Sequence, residues 1–331
     1  MKASIIGAGA WGSAFSVYLS RQNVKSRLWI REKNIYEEVL KTRENKVFLP
    51  GITFPKEVTF FHDIGEAVHS TNIVFVAVPS QFCRQVYTQL VPFLSSEHII
   101  VSLTKGIEDS SLKRMSEIME EIFFPHFSPQ VAALSGPSFS REVIQGHPTA
   151  VVVASKDLTL AREVQHYVSS LYFRVYATDD VTGVELCGAL KNVVAIAAGI
   201  CSGLKYGLNT IASLITRGLS EVMQLGLKLG AKRETFSGLA GMGDLVLTCT
   251  GALSRNRSVG FELGQGKSLR EITSTMKMVA EGIPNTLSAH LLALRENVEM
   301  PICEQVYQVL YEKKDPKKSL VRLLSRRLRD E

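Results

Sequence analysis

Residues 3–21 read ASIIGAGAWGSAFSVYLSR. Ala3 to Ile6 is a short apolar run of the kind that forms a strand buried on both faces. Gly7, Gly9 and Gly12 follow in the spacing GxGxxG, and a helical stretch containing Ala14 runs on to Arg21. Strand, glycine turn and helix in that order open a dinucleotide-binding βαβ unit. The first glycine makes the tight turn, the second lets a pyrophosphate approach the backbone, and the third lets helix and strand pack closely. The unpaired N–H groups of the helix start then face the phosphates. One Lys before an apolar stretch also imitates a secretory leader, but the glycines interrupt what would have to be a continuous apolar core.

Working outward, short β-branched runs alternate with helix-period stretches as far as Thr178, the pattern of a mainly parallel sheet covered on both faces. Strands are expected at residues 3–6, 26–30, 58–61, 72–78, 98–103, 131–134, 149–154 and 174–177, with helices such as 12–21, 81–90 and 158–171 between them. After Asp179 and Asp180 strand-like runs vanish and long helical stretches take over, first 183–203, then 210–229. The fold class is therefore an α/β Rossmann-type domain over 1–178 followed by an all-α domain over 179–331. Two domains also suit a chain of 331 residues, since one hydrophobic core stops growing at about 250–300.

Composition narrows the function. Hydrophobic residues make up 45% and charged residues 21%, which excludes a disordered chain. The net charge of +6 is concentrated at the end, where residues 313–331 hold eight Lys/Arg against three Asp/Glu. A nearly neutral remainder gives no nucleic-acid footprint. Leu320, Val321, Leu323, Leu324 and Leu328 share one helical face, so an amphipathic helix packed on its own domain is expected. A basic tail for a membrane or a phosphate polymer is the other reading. Five cysteines without CxxC spacing imply reduced thiols and a cytoplasmic location. No His, Cys, Asp or Glu cluster has metal-ligand spacing. The longest unbroken apolar run, 193–201, is half of what a membrane span needs, so no integral membrane segment is expected.

The remaining unusual residues fall where ligands bind such sheets, beyond the carboxyl ends of the strands. Arg31 and Glu32 end the second strand. Arg31 suits a 2′-phosphate and Glu32 a ribose hydroxyl, so NADPH or NADH is available; a solvated surface pair is the plainer alternative. Lys105 stands at a strand tip before a glycine, and Gly136 and Ser138 follow another strand; each is also compatible with an ordinary turn. In the helical half Lys191 and Asn192 interrupt an apolar run, and a buried Lys is costly unless paired. Gly238 to Asp244 reads GLAGMGD, and Ser254, Arg255 and Asn256 offer a guanidinium fork and an amide suited to phosphate.

Together GAGAWG, LTKGIE at Lys105, SGPSF at Gly136, ELCGALKNVVAIAAGI around Lys191, LAGMGDLVLTC at Asp244, SRNRSVG at Arg255 and VAEG at Glu281 resemble the NAD(P)-dependent sn-glycerol-3-phosphate dehydrogenases, in their bacterial soluble form. The resemblance spans the whole chain in order. It implies reversible hydride transfer between sn-glycerol 3-phosphate and dihydroxyacetone phosphate, for phospholipid synthesis, by a homodimer. It makes Lys191 the general acid/base, Asp244 its orienting or relay partner and Lys105 the group polarising the carbonyl. Such a Lys must release its proton near neutral pH, so a neighbouring cation, Lys105 or Arg255, is expected. Cofactor contacts map onto Gly7, Gly9, Ala10, Trp11, Gly12, Arg31, Phe48, Lys105, Ser140, Arg255, Val279 and Glu281. Substrate contacts map onto Lys105, Gly136, Ser138, Lys191, Asp244, Ser254, Arg255 and Asn256. In that family Ser commonly stands at the position of Ala10 and Ala at that of Ser140; neither difference removes a charge. A 6-phosphogluconate or β-hydroxyacid-type dehydrogenase lacks a reason for GLAGMGD and SRNR, and a non-catalytic NAD(P)H sensor has none to keep Lys105, Lys191 and Asp244.

Overall fold

The computed structural model describes residues 2–276 and 278–327. Among these residues eight strands form one sheet: β1 (Lys2–Ile6), β2 (Lys25–Trp29), β3 (Val58–Phe61), β4 (Ile73–Val76), β5 (Ile99–Ser102), β6 (Gln130–Ser135), β7 (Thr149–Ala154) and β8 (Phe173–Thr178). Their order is β3-β2-β1-β4-β5-β6-β7-β8, parallel throughout except for the β6–β7 pair. Helices α1 (Ala10–Arg21), α2 (Lys33–Thr42), α3 (Ile64–Val68), α4 (Ser80–Leu90), α5 (Met115–Phe123), α6 (Ser140–Gln145) and α7 (Leu158–Val168) join them. Successive strand residues point to opposite faces, so Ile5 and Phe75 enter one core with Phe15 of α1, while Ile6, Val74 and Val76 enter another with Tyr87 of α4 and Met119 of α5. Each fully buried Ile or Phe contributes about 1.5–3 kcal/mol, which is why these strands are apolar on both sides.

The sheet is mainly parallel, as expected, with one antiparallel pair, and some elements end earlier than the sequence reading placed them. β7 runs antiparallel because α6, at six residues, rises only about 9 Å and cannot carry the chain back along β6. α7 stops at Val168 rather than residue 171: Ser169 turns extended, and the Ser169 and Ser170 hydroxyls take the N–H groups of Val175 and Phe173. β4 is shorter than residues 72–78, since Pro79 starts the turn into α4.

The helices that follow are α8 (Val181–Gly203), α9 (Leu208–Lys228), α10 (Arg233–Ser237), α11 (Asp244–Thr250), α12 (Arg255–Gly264), α13 (Leu269–Thr275), α14 (Gly282–Glu296), α15 (Pro301–Tyr311) and α16 (Pro316–Leu324). The chain forms two compact units, one made of the residues up to Lys105 with Lys113–Glu185, the other of Gly106–Leu112 with the residues from Leu186 on. The texture change near 178 therefore precedes the division. Glu185 stays with the first unit because its carboxylate accepts from Arg114 Nη1 (2.7 Å) and from the Ser116 amide (2.8 Å) and hydroxyl (2.5 Å). Gly106–Leu112 belongs to the second, where the Ile107 amide donates to Asn285 and the Ser288 hydroxyl to Asp109.

In the second unit α8 is buried nearly all round. By length and apolarity it would span a membrane, a possibility missed by counting only unbroken runs; its full burial makes it a core helix. Glycines let α12 lie directly against it. A Cβ added at Gly199 or Gly203 would overlap the carbonyl oxygens of Arg257 and Phe261, and one at Gly260 or Gly264 those of Ile196 and Ile200. At the far end, α16 packs on α15 and α12 through buried Ser319 and half-buried Leu320 and Leu323. Val321 and Leu324 are instead exposed, correcting the single inward face expected; Leu328 lies outside the described residues.

Candidate active site

In the first unit the glycine loop joins β1 to α1. Gly7 has φ +112°, and a Cβ there would sit 2.7 Å from the Ala77 carbonyl oxygen at the end of β4. A Cβ on Gly12 would overlap the Gly7 carbonyl, whereas one on Gly9 meets nothing within 4 Å. The turn is thus closed towards the protein and open at Gly9. α1 starts with no side-chain cap and no acidic residue in its first turn, so the amides of Ala10, Trp11 and Gly12 remain available to an anion. That cradle fits a dinucleotide pyrophosphate. Trp11 is half-buried against Phe15, with ring centroids 5.6 Å apart.

Asn45, fully buried, was missed in the sequence because an isolated Asn in a polar stretch carries no signal. Its amide donates to the Ala8 carbonyl (2.8 Å) and its oxygen accepts from the Phe48 amide (3.0 Å), tying Phe48 to the glycine loop. Beyond β2, Arg31 is exposed, paired with Glu32 at 2.6 Å, and its guanidinium lies 5.3 Å from the Phe82 ring centre. Beyond β5, Lys105 Nζ donates to the Gly136 carbonyl (2.8 Å) and approaches Ser138 Oγ (3.4 Å). Gly136, at φ +132°, could not accept a Cβ without meeting Val151 Cα at 2.9 Å. Ser140 begins α6 just beyond.

The second unit carries the other candidates. Lys191 is 7% exposed and Asp244 1%; their charged atoms stand 2.5 Å apart. Lys191 Nζ also donates to Thr248 Oγ1 (3.0 Å), whose hydroxyl donates to the Asp244 backbone carbonyl (2.6 Å). Thr248 lies one helical turn after Asp244 and escaped notice because its pairing emerges only once α11 packs beside α8. Asp244 opens α11 directly after the helical turn Leu239–Gly243, and Gly241 there has no room for a Cβ against Phe236. The ion-pair partner of Lys191 is thus a carboxylate. Cys249 beside it is inert: burial pushes its thiol up to about 12.

Around this pair, Asn256 donates to Asn192 Oδ1 (2.8 Å) and accepts from the Gly282 amide (2.9 Å). That engages its oxygen and one amide hydrogen. Ser254 caps α12, its hydroxyl accepting from the Arg257 amide at 3.2 Å. Arg255 Nη1 donates to the Val279 carbonyl (2.6 Å), and Glu281, at the start of α14, attracts its charge. The structure therefore gathers Lys105 with Gly136 and Ser138, Lys191 with Asp244, and Arg255 with Val279 and Glu281. Among the described residues no group of three or more His, Cys, Asp or Glu is placed to hold a metal.

A chain with this loop, this sheet order and this buried Lys–Asp pair matches two family models, the N-terminus of NAD-dependent glycerol-3-phosphate dehydrogenase over residues 2–161 and its C-terminus over 180–321. It belongs to that family. Its relatives include the glycerol-3-phosphate dehydrogenase [NAD(P)+] of Citrifermentans bemidjiense, 51% identical over 330 residues, which cover all of this chain and 98% of that one. Among solved structures, the glycerol-3-phosphate dehydrogenase of Coxiella burnetii superimposes with a TM-score of 0.94 at 38% identity, covering 98% of this chain and 99% of that one. The yeast glycerol-3-phosphate dehydrogenase is similar at 27% identity and TM-score 0.80, covering 96% and 98%.

Proposed function

We propose that this chain, a member of the glycerol-3-phosphate dehydrogenase family, reversibly reduces dihydroxyacetone phosphate to sn-glycerol 3-phosphate with NADPH or NADH, supplying the backbone for phospholipid synthesis. The observation that carries the reading is the buried Lys191–Asp244–Thr248 cluster. Taking two charges out of water costs several kcal/mol per ion, a cost that fold stability alone does not require. Residues of the glycine loop, with Trp11, Arg31, Phe48 and Ser140, would hold the dinucleotide, which supplies the hydride when bound.

The protein's part in reduction is proton management and positioning. Lys191, held by Asp244, gives its proton to the C2 oxygen of the ketone as that oxygen gains charge. Asp244 and Thr248 fix the direction in which the ammonium donates. Lys105, by the family resemblance, would polarise the carbonyl, and within its own unit the Gly136 carbonyl and Ser138 hold its ammonium in place. Arg255, with Ser254 and the free amide hydrogen of Asn256, grips the substrate phosphate and fixes the reacting carbon. In the oxidative direction Lys191 must first be deprotonated, so that direction gains from high pH. Residues 1–178 would hold chiefly the dinucleotide and residues 179–331 chiefly the substrate, with Lys105, Gly136 and Ser138 the substrate-side exceptions in the first.

A homodimer in the cytoplasm completes the reading; the five buried cysteines suit a reducing compartment. The test is oxidation of NADPH by the purified chain with dihydroxyacetone phosphate, against dihydroxyacetone as control. Equal rates with both ketones, or none with either, would refute it.

A further inference from the structure

The outer side of α16 is not accounted for by the reaction. Lys317, Val321 and Leu324 follow at i, i+4 and i+7 and share one face, with Val321 63% and Leu324 77% exposed. The adjoining face carries Lys318 and Arg322, also exposed. Between residues 313 and 327 there are seven Lys/Arg and one Asp. Two of these cations are engaged, Lys314 with Gln305 and Gln308 and Arg326 with Glu299. Lys317, Lys318, Arg322 and Arg327 have no ion-pair partner among the described residues. The inner side, through Ser319, Leu320 and Leu323, is already committed to α15 and α12.

We propose that the outer face of α16 docks the enzyme reversibly on an anionic phospholipid bilayer. Three features choose this occupant. The charge is predominantly positive, so a second copy brought face to face would set Lys and Arg against Lys and Arg. The surface is the convex side of a helix, which a plane accepts more readily than a peptide does. Basic side chains also lie beside protruding apolar ones, the arrangement with which an interfacial helix buries its apolar stripe at the acyl boundary while its cations meet headgroups. Nine helical residues give weak, exchangeable attachment rather than anchoring.

The test is flotation of the full-length protein with phosphatidylcholine vesicles, with and without phosphatidylglycerol. Wild type should float with anionic vesicles only, and added salt should release it. Lys318→Gln with Arg322→Gln should weaken binding about thirtyfold, and Val321→Asp with Leu324→Asp about tenfold or more. All variants should keep wild-type thermal stability and wild-type turnover in vesicle-free buffer, because the altered side chains face solvent. Equal flotation with neutral vesicles would overturn the proposal. So would a protein that ignores vesicles while Val321→Asp abolishes self-association in sedimentation velocity, or one that binds a mixed-sequence DNA duplex more tightly than anionic vesicles.

Discussion

Replacing Lys191 by Met removes the ammonium while preserving most of the side-chain volume, and leaves Asp244 at 1% exposure without its counter-ion. An uncompensated buried charge of this kind costs about 3–5 kcal/mol. Asp244→Asn, the converse change, strands the Lys191 ammonium at 7% exposure and should cost a similar amount, moderated by its bond to Thr248. Lys191→Met with Asp244→Asn removes both charges together. The double variant should therefore be more stable than the sum of the singles by about 6 kcal/mol or more, and possess close to wild-type stability. Urea unfolding followed by circular dichroism measures the cycle, and steady-state kinetics follows the same four proteins. Turnover should be lost whenever Lys191 is absent, including in the stable double variant, while NADPH binding persists. Additive stability losses would refute the coupled pair, and a Lys191 variant with a tenth of wild-type kcat would refute its role in proton transfer.

Arg31→Ala should weaken NADPH by about 1.5–3 kcal/mol and barely touch NADH; Glu32→Gln, by freeing Arg31 from an exposed pair, should tighten NADPH by up to about 1 kcal/mol. Fluorescence titration of both cofactors checks this, and equal losses would show that Arg31 does not read the 2′ position. Arg255→Lys should lower kcat/KM for dihydroxyacetone phosphate steeply and leave dihydroxyacetone, already a poor substrate, nearly unchanged; an equal loss on both ketones would move Arg255 out of the phosphate site. Burial raises the Glu221 carboxyl from 4.5 to about 7, despite its bonds from the Ile302 and Cys303 amides. The folded state therefore binds a proton that the unfolded state releases between those values. Stability from this group is full below pH 4.5 and declines by about 3 kcal/mol as pH rises to 7. Glu221→Gln should remove that decline in urea unfolding measured across the window; an unchanged slope would mean that Glu221 is already ionised when folded.

The dinucleotide half was legible because its rules are local. A strand ending in GxGxxG admits one backbone path, and β3 and β7 fall on the residues their β-branched runs indicate. Lys191 stood out for the same reason, as a cation inside an apolar helix. Strand sense between β6 and β7 was not legible, since it depends on the reach of α6 rather than on either strand's residues. Thr248 and Asn45 were hidden because a hydroxyl or amide becomes part of a site only through what folding places against it. The outward turn of Val321 and Leu324 was hidden because two apolar stripes on one short helix read in sequence as one.

The glycine seam between α8 and α12 has a consequence for how such an enzyme diverges. Because the backbones touch at Gly199, Gly203, Gly260 and Gly264, every substitution there adds atoms where there is no space, and the cost falls on the spacing between the helix of Lys191 and the helix that begins at Arg255. A saturation map of the chain should show an intolerant diagonal along this seam, bordered by permissive positions on the solvent side of α12. Adaptation to larger or differently charged ketones is thereby channelled into the loop of residues 251–254 and the segment leading into α14, which can change length and side chains while the two helices stay locked in register.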